Sequence, residues 1–386
     1  MLGGTHEFTH ISHAALGPNG LLAVAQSQDG QVLLFALATP DSLIAIAGRH
    51  GEGPGEFSSV GSIGWIGGAL WVTDGSRPRA EFFDMAGRVL TSKGFDPPRA
   101  VDRRFRYFAP TAILRDTAVV YYPSVFGSPN SPTVATADPS VPILLMRYGA
   151  QHADTLAQLR PLKSMLVLHG DVSSAIAYQP FSALNFLSTG ASGQRMLLVL
   201  QSAVSVSEGR VLVRVVSSIG AQVYSTDLGL QGSAVTARMW DSVVSRRVQM
   251  YTNDLWSTEA KAREGLKQAL VRPRFSPVIS NAVLGQDGTV WLRLTTETNG
   301  RATWLVLSPA GAMLGSVTLP AETRILDVTA TKAVGVVKDP DGIEQPFWMS
   351  VGPREDVTVS IPPHHASTEG FPCRASCHRS RSPHRL

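Results

Sequence analysis

Short apolar runs alternate with polar turns along most of the chain. Five times, a turn rich in Gly, Asn or Asp precedes a run of aliphatic, β-branched and aromatic residues. This pattern predicts β-hairpins, because tight hairpin turns need positive φ angles. The five turns are Asn19-Gly20, Gly67-Gly68, Asp116-Thr117, Ser192-Gly193 and Asp287-Gly288. Further apolar runs, separated by short turns, follow each of them.

The hairpins belong to a repeated unit of four strands. The first three turns lie 48 and 49 residues apart, and a sixth, less regular unit runs from Ile325 to Val351. Four antiparallel strands per unit are typical of a β-propeller blade. The chain is therefore predicted to be all-β, a six-bladed β-propeller over residues 5–352. The last unit is short of strands, so we expect an N-terminal strand near Thr5–Ile11 to complete the last blade.

Two intervals between turns are longer than one blade. The third and fourth turns are 76 residues apart, and the excess fits a Pro- and Ser-rich loop at residues 125–142. The fourth and fifth turns are 95 residues apart, which is close to the length of two blades. A seventh blade is therefore the alternative to an insertion in this second interval.

The residues of the second long interval indicate helices rather than strands. Its apolar residues recur at helical spacing, at Val235, Met239, Trp240, Val243, Val244, Val248 and Tyr251. A second helix is predicted after Ser257, where a cap precedes Glu-Ala-Lys-Ala-Arg-Glu, and Pro273 stops it. We therefore predict a short helical insertion at about residues 232–275 and a propeller of six blades.

The composition is that of a folded chain with a basic end. Of the 386 residues, 44% are hydrophobic and 17% are charged, which favours a packed core over a disordered chain. The net charge of +4 is accounted for by Arg374, Arg379, Arg381 and Arg385, so the preceding residues balance at zero. A neutral body is not expected to bind nucleic acid.

Residues 353–386 differ in character from the repeats. They are rich in Pro, Ser, His and Arg and show no hydrophobic periodicity, so they are predicted to be a disordered basic tail. Both cysteines, Cys373 and Cys377, lie in this segment. The propeller is therefore expected to fold without disulfides.

The start of the chain does not have the pattern of a secretory signal, because its first basic residue is Arg49. No apolar run approaches the ~20 residues that cross a bilayer. We therefore expect no transmembrane segment, and the cellular location stays open. The chain is expected to be a monomer.

One loop and the blade after it carry a family resemblance. Residues 48–57 read Gly-Arg-His-Gly-Glu-Gly-Pro-Gly-Glu-Phe, and Arg77–Gly87 contains Arg-x-x-x-Phe-Asp-x-x-Gly. Together they resemble the NHL-type repeat. More closely, the chain resembles six-bladed β-propeller proteins common in bacteria, many of them predicted lipoproteins or exported proteins. The resemblance implies the fold and an exported or cell-envelope location, but fold alone implies no activity.

The Gly-rich loop is a candidate site in its own right. Its residues are Gly51, Gly53, Pro54, Gly55, Glu56 and Phe57. A phosphate-binding loop needs a following Lys-Ser/Thr or a strand-to-helix turn, whereas here a strand follows and proline removes one amide donor. We interpret the loop as a structural inter-blade linker, with its Glu-Phe pair anchored against the neighbouring blade.

Two further groups are candidates for binding a ligand or a partner. The first is a cationic segment with interleaved aromatic residues, and its members are Arg99, Arg103, Arg104, Arg106 and Tyr107. Guanidinium groups bind carboxylates or phosphates, and aromatic rings stack on ligands. The alternative is that the aromatic rings enter a blade core and the arginines are solvated. The second group is Trp240 and Trp256, which the helical insertion would present to a partner.

No catalytic residue is predicted. The sequence has no Gly-x-Ser-x-Gly nucleophile motif, and the propeller's histidines His50, His152 and His169 lie in separate units. No cofactor is predicted. A divalent metal held by single residues around the channel would leave no linear motif, so the metal site stays open.

These observations favour a non-catalytic binding or scaffold propeller that holds a ligand or protein partner on one face. The alternative is an extracytoplasmic propeller hydrolase or lyase with a metal in the central channel. A ring of inward-pointing His, Asp or Glu at one channel mouth would favour the enzyme. An apolar or cationic channel would favour the binding protein.

Overall fold

Six antiparallel sheets are arranged in a ring, which confirms the predicted six-bladed β-propeller. The sheets belong to a computed structural model that describes residues 8–95, 108–115, 118–123, 141–147, 150, 152–159, 165–181, 186–201, 210–338 and 342–351. The predicted disordered tail, residues 353–386, lies outside these ranges. No helix in the described part of the chain is long and apolar enough to cross a membrane.

Each blade is built from consecutive strands. Blade one contains β1 (Ile11–Leu16), β2 (Leu21–Gln26), β3 (Gln31–Ala36) and β4 (Thr39–Ala47). The two short strands β5 (Arg49–His50) and β6 (Glu56–Phe57) pair in parallel in the connection to blade two. Blade two contains β7 (Val60–Ile66), β8 (Ala69–Asp74), β9 (Arg79–Phe83) and β10 (Val89–Gly94). Blade three contains β11 (Phe108–Leu114), β12 (Ala118–Pro123), β13 (Val141–Arg147) and β14 (Asp154–Leu159).

The second half of the ring contains three blades and an additional hairpin. The hairpin, β15 (Met165–His169) and β16 (Ser174–Tyr178), precedes blade four. Blade four contains β17 (Phe186–Thr189), β18 (Arg195–Leu200), β19 (Val211–Ser217) and β20 (Gln222–Leu228). Blade five contains β21 (Ile279–Leu284), β22 (Val290–Thr298), β23 (Arg301–Leu307) and β24 (Met313–Pro320). The described strands of blade six are β25 (Arg324–Val328), β26 (Lys332–Lys338) and β27 (Glu344–Ser350).

The first strand of each blade lies at the centre of the ring. Strand β1 contacts β7 and β25, and β21 contacts β17 and β25. We call the end where each first strand turns into the second the turn face, which includes residues 17–20, 67–68, 190–194 and 285–289. The opposite end, where one blade connects to the next, is the connector face.

The core lies between the blades, because each sheet is covered on both sides by its neighbours. Strands inside a blade therefore read as continuous apolar runs: all of β2 is buried, from Leu21 to Gln26. Trp71, Trp291 and Trp304 are among the largest fully buried side chains. The repeated turns could be recognised in the sequence because they interrupt these continuous apolar runs.

Side chains of blade six hold the first strand of blade one. The carboxyl of Asp327 accepts a hydrogen bond from the Leu16 backbone N–H at 2.7 Å, and Glu344 accepts one from the Ile11 N–H at 2.8 Å. The Arg324 guanidinium donates to the Ile11 carbonyl and to Glu344. These bonds join blades that are more than 300 residues apart in the chain.

The expectation that an N-terminal strand completes blade six is corrected at its described end. Ile11 begins the inner strand of blade one, and residues 8–10 form no strand. The remainder of the expected strand, residues 5–7, lies outside the described residues. Among the described strands, closure combines the side-chain bonds from β25 and β27 with an apolar cluster shared by blades one and six.

The helical insertion is present where it was predicted. Helices α1 (Ala237–Tyr251) and α2 (Glu259–Ala269) begin at Thr236 and Thr258, whose side chains accept hydrogen bonds from backbone N–H groups of the first turns. The helices pack with the hairpin β15–β16 around a shared apolar cluster. Sequence analysis did not predict this hairpin, because an isolated apolar run of five residues has no distinctive period.

The closure bonds predict a specific pH dependence of stability. Burial raises the pKa of Asp327 to about 7, well above that of an unfolded Asp. Between about pH 4 and pH 7 the unfolded chain therefore releases a proton that the folded protein keeps, so this group's contribution to stability decreases as pH rises. The free energy of unfolding of the wild type minus that of Asp327→Asn should fall by up to about 1.4 kcal/mol per pH unit from pH 5 to 7.

Urea titrations of both proteins at pH 5, 6, 7 and 8 measure this difference. Other titrating groups, including His13, are present in both proteins and cancel. The difference should level off above pH 7. A difference that stays constant from pH 5 to 8 would contradict the assigned role of the buried carboxyl.

Candidate functional site

The turn between β17 and β18 occupies the turn-face end of the channel. Its Ala191 carbonyl accepts a hydrogen bond from the backbone N–H of Trp65 in blade two at 2.6 Å. Its Gly193 carbonyl accepts one from the backbone N–H of Arg115 in blade three at 2.8 Å. Blades two and four are not neighbours in the ring, so the turn extends from its own blade towards the centre. We call residues 190–194 the channel plug.

Glycine makes the close approach of the plug to its neighbours feasible. Gly193 has φ +64°, and a Cβ there would lie 2.8 Å from the Ile113 carbonyl oxygen. On the other side, a Cβ at Gly64 would lie 2.7 Å from the Ala191 oxygen. Side chains at either position would push the plug away from the strands that hold it.

A cavity of about 250 Å³ lies beside the plug on the turn face. Its lining comes from the inner turns and strand ends of five blades, so the ring itself brings these residues together. The walls include the side chains of Trp65 and Ile66. The polar side chains that line it are Arg115, Ser192, Gln194 and Gln286.

The polar groups of the cavity are suited to a negatively charged group. Arg115 is exposed and makes no ion pair with another described residue. The Gln194 side chain is exposed at the cavity, whereas the Gln286 amide nitrogen is buried beside the Asp327 carboxyl. A guanidinium and an amide donor at one cavity can together bind a carboxylate or a phosphate.

Inside the ring, His13 is the titratable group of β1. Its side chain is solvent-accessible although protein surrounds it, as expected for a residue facing the channel. Burial, together with the charge of Arg324, lowers the pKa of His13 to about 4, so the imidazole is neutral at pH 7. Close by, His10 Nδ1 lies 3.4 Å from a Glu344 carboxylate oxygen.

The described residues contain no group of three or more His, Cys, Asp or Glu side chains placed to hold a metal ion. His50, His152 and His169 are all exposed, and they lie in β5, in the turn before β14 and at the end of β15. The hypothesis of a channel metal stays a prediction.

The predicted cationic segment lies outside the described residues. Arg99, Arg103, Arg104, Arg106 and Tyr107 fall in the chain between β10 and β11, which is a blade-to-blade connection. Their role in binding also stays a prediction.

The Gly-rich loop connects blades one and two and is held by its own acidic residue. The Glu56 carboxylate accepts hydrogen bonds from the N–H groups of Glu52 at 2.9 Å and Gly53 at 2.8 Å, and pairs with Arg49. The Gly53 N–H and the Arg49 side chain lower the pKa of Glu56. These amides are therefore already bonded and do not form a free phosphate cradle.

The rest of this loop packs against blade two. Phe57 is fully buried, and its ring lies 6.1 Å from that of Phe83. Arg79 donates to the carbonyl oxygens of Glu52 and Gly53 and also pairs with Asp74. Gly51 leaves room for the Glu56 carboxylate, since a Cβ at this position would collide with it.

The two tryptophans of the insertion lie in different environments. Trp256 is 4% exposed, and its indole packs against α2 where Gly265 leaves space: a Cβ there would lie 2.7 Å from the ring. Trp256 is therefore a packing residue of the insertion. Trp240 is half-buried against the same cluster, so the hypothesis of a tryptophan surface rests on Trp240 alone.

Sequence reasoning did not find the cavity residues. These residues lie in the hairpin turns of three different blades: Arg115 in blade three, Ser192 and Gln194 in blade four, and Gln286 in blade five. The predicted turns themselves could have indicated these residues, because the first turns of all blades meet at one end of a propeller.

Known proteins resemble the chain only distantly. No protein-family model matches the chain, and no curated protein matches it. Among solved structures that align with most of it, a DUF4221-family protein from Bacteroides vulgatus is 9% identical, with 91% of this chain and 92% of that protein covered and a TM-score of 0.46. The calcium-binding protein regucalcin from Agrobacterium tumefaciens is 10% identical, with 91% and 94% of the two chains covered and a TM-score of 0.40. BamB from Moraxella catarrhalis is 12% identical, with 87% and 84% of the two chains covered and a TM-score of 0.30. At these identities and TM-scores, no function is carried from them to this chain.

The fit of the plug predicts a difference between two glycine substitutions in strands. Gly64→Ala places a methyl group 2.7 Å from the Ala191 oxygen and 2.6 Å from the Trp71 ring, so it should destabilise the protein by about 1–3 kcal/mol. Gly94→Ala, in an outer strand with no atom within 4 Å of its new Cβ, should change stability by less than about 0.5 kcal/mol. Urea unfolding of both variants measures the difference. Equal effects would contradict the close contact at the plug.

Proposed function

We propose that this protein is a non-catalytic binding propeller that holds a small anionic ligand in the turn-face cavity. The observation that carries the proposal is Arg115 in the lining of a cavity of about 250 Å³, without an ion pair to another described residue. Ligand sites are typically concave and partly apolar, with a few polar groups that fix orientation. This cavity has that character on a small scale.

The chemistry of the lining supports binding of a carboxylate or phosphate. An arginine side chain forms bidentate, charge-assisted hydrogen bonds with such groups. The exposed Gln194 amide has donors and an acceptor for the remainder of the ligand. Trp65 and Ile66 form an apolar wall, and the volume suits a molecule about the size of an amino acid.

The lining also supports binding rather than catalysis. Its polar side chains are a guanidinium, a hydroxyl and two amides, none of which is a general base near pH 7. No observation among the described residues favours the alternative of a hydrolase or lyase with a channel metal. We propose that the protein acts as a monomer. Its relation to NHL-type repeats and to exported bacterial propellers is part of the proposal and is supported by the sequence of the Gly-rich loop.

The proposal predicts loss of ligand affinity when Arg115 is removed. Succinate, glutamate and inorganic phosphate serve as probes, with uncharged succinamide for comparison. At least one anionic probe should bind the wild type, and Arg115→Ala should bind it about 10- to 100-fold more weakly, because a hydrogen bond to a charged group contributes about 1.5–3 kcal/mol. Isothermal titration calorimetry measures the affinities.

A second arginine of the turn face is the matched control. Arg88 is exposed, pairs with Asp84 and lies outside the cavity, so Arg88→Ala should bind the probe like the wild type. The proposal is wrong if no anionic probe binds the wild type. It is also wrong if Arg115→Ala and Arg88→Ala weaken binding equally.

A further inference from the structure

The helical insertion is a compact unit with its own core. Where it leaves and rejoins the propeller, the Val235 N–H donates to the Arg274 carbonyl at 3.0 Å, and Arg272 donates to the Val235 carbonyl at 2.6 Å. Its apolar cluster joins α1, α2 and the hairpin β15–β16. We call these elements together the helical module; both chain segments that form it are connections between blades, so it lies on the connector face.

The hairpin fixes the orientation of the helices. Asp171, in the turn of the hairpin, accepts hydrogen bonds from the Ser257 hydroxyl and the Lys261 ammonium group, both at 2.6 Å. These bonds lower the pKa of Asp171. The Val172 N–H donates to the Leu255 carbonyl at 2.9 Å. The start of α2 is thus held by the hairpin, and α1 packs against α2.

One side of α1 is buried and the other is exposed. Val244 and Val248 lie in the apolar cluster. On the opposite side, exposed residues that lie three or four positions apart are neighbours on the helix surface, so they form a continuous stripe. The α1 stripe consists of Arg238, Met239, Ser242, Arg246, Gln249 and Met250.

The stripe combines unpaired cations with exposed apolar side chains. Arg238 and Arg246 are exposed and make no ion pair with another described residue, whereas Lys261 and Arg263 of the module are paired with acids. The side chain of Met250 is 63% exposed, and Met239 is also exposed. Such a surface is not explained by packing within the propeller.

The charge of the insertion differs from that of the rest of the protein. Residues 232–275 contain eight Lys or Arg and four Asp or Glu, a net charge of +4. The preceding and following parts of the chain, up to the basic tail, are together net negative. The positive charge of the body is therefore concentrated in this insertion, and it attracts a partner of opposite charge.

We propose that the α1 stripe is a docking surface for an acidic segment of another protein. Arg238 and Arg246 would pair with its carboxylates, and Met239 and Met250 would pack against its apolar side chains. Arginine and methionine are both enriched at protein interfaces, and methionine adapts to irregular apolar surfaces. The exposed methionines favour a protein over a nucleic acid, which is bound mainly through phosphate contacts.

The surface is independent of the ligand cavity. The stripe lies on the connector face and the cavity on the turn face, so the two sites do not share residues. Docking at α1 would let the propeller bind a partner protein while a small ligand occupies the cavity. A failure of the ligand proposal would therefore leave the docking proposal unaffected, and the reverse is also true.

A designed acidic peptide tests the docking proposal. The probe is a helical 15-residue peptide with Glu on one face and Leu on the other, and fluorescence anisotropy measures its binding to the full chain. The double variant Arg238→Glu/Arg246→Glu should bind about tenfold or more weakly than the wild type, and Met239→Ser/Met250→Ser should also bind more weakly. Every substituted side chain is exposed, so the melting temperatures should stay close to that of the wild type.

Matched controls separate this surface from general electrostatics. Lys267→Glu reverses a charge on α2 outside the stripe, and Arg115→Ala alters the cavity; both should bind the peptide like the wild type. A peptide with Lys in place of Glu should not bind. Equal weakening by Lys267→Glu would overturn the proposal. Tighter binding of a 15-base-pair DNA than of the peptide, lost in the arginine variant, would overturn it in favour of nucleic acid.

Discussion

A ring of blades is stable only when its first and last members are joined, because each blade uses both neighbours to cover its two apolar faces. Here blades one and six share an apolar cluster, and ionisable side chains bound to backbone groups lie beside it. Asp327 and Glu344 accept the N–H groups at the two ends of β1, and Arg324 donates to the carbonyl of Ile11. A backbone N–H at this buried seam would otherwise lack a partner, at a cost of about 1–3 kcal/mol each.

Closure also creates the cavity. Its lining residues come from turns of five blades, so they come together only in the complete ring. Gln286 lies at the cavity and near Asp327, and this places the cavity beside the seam. The plug adds a second connection, between blades two and four, that does not depend on sheet packing. The plug thus covers the turn-face end of the channel, which the hairpins of the other blades surround.

The sequence predicted local features well and assembled features poorly. The turn at Gly67-Gly68 and the capped helix after Ser257 were recognisable, since positive φ angles and capping need particular residues within a few positions. The hairpin β15–β16 was not recognisable, because its strands owe their stability to helices some 80 residues later. Arg115 was missed for a related reason: nothing near it in the chain distinguishes it from any solvated turn residue.

The hydrogen bond between Leu16 and Asp327 spans 311 positions of the chain. During synthesis from the N-terminus, β1 is therefore made first and obtains its last partner only when nearly the whole ring has left the ribosome. At about 5–20 residues per second, that delay is roughly 15–60 seconds. Throughout this interval one side of blade one, with Leu22, Leu33 and Phe35, has no blade to cover it. The nascent protein thus carries an exposed apolar face until blade six is made, and chaperones that act on unfinished chains would meet it at blade one.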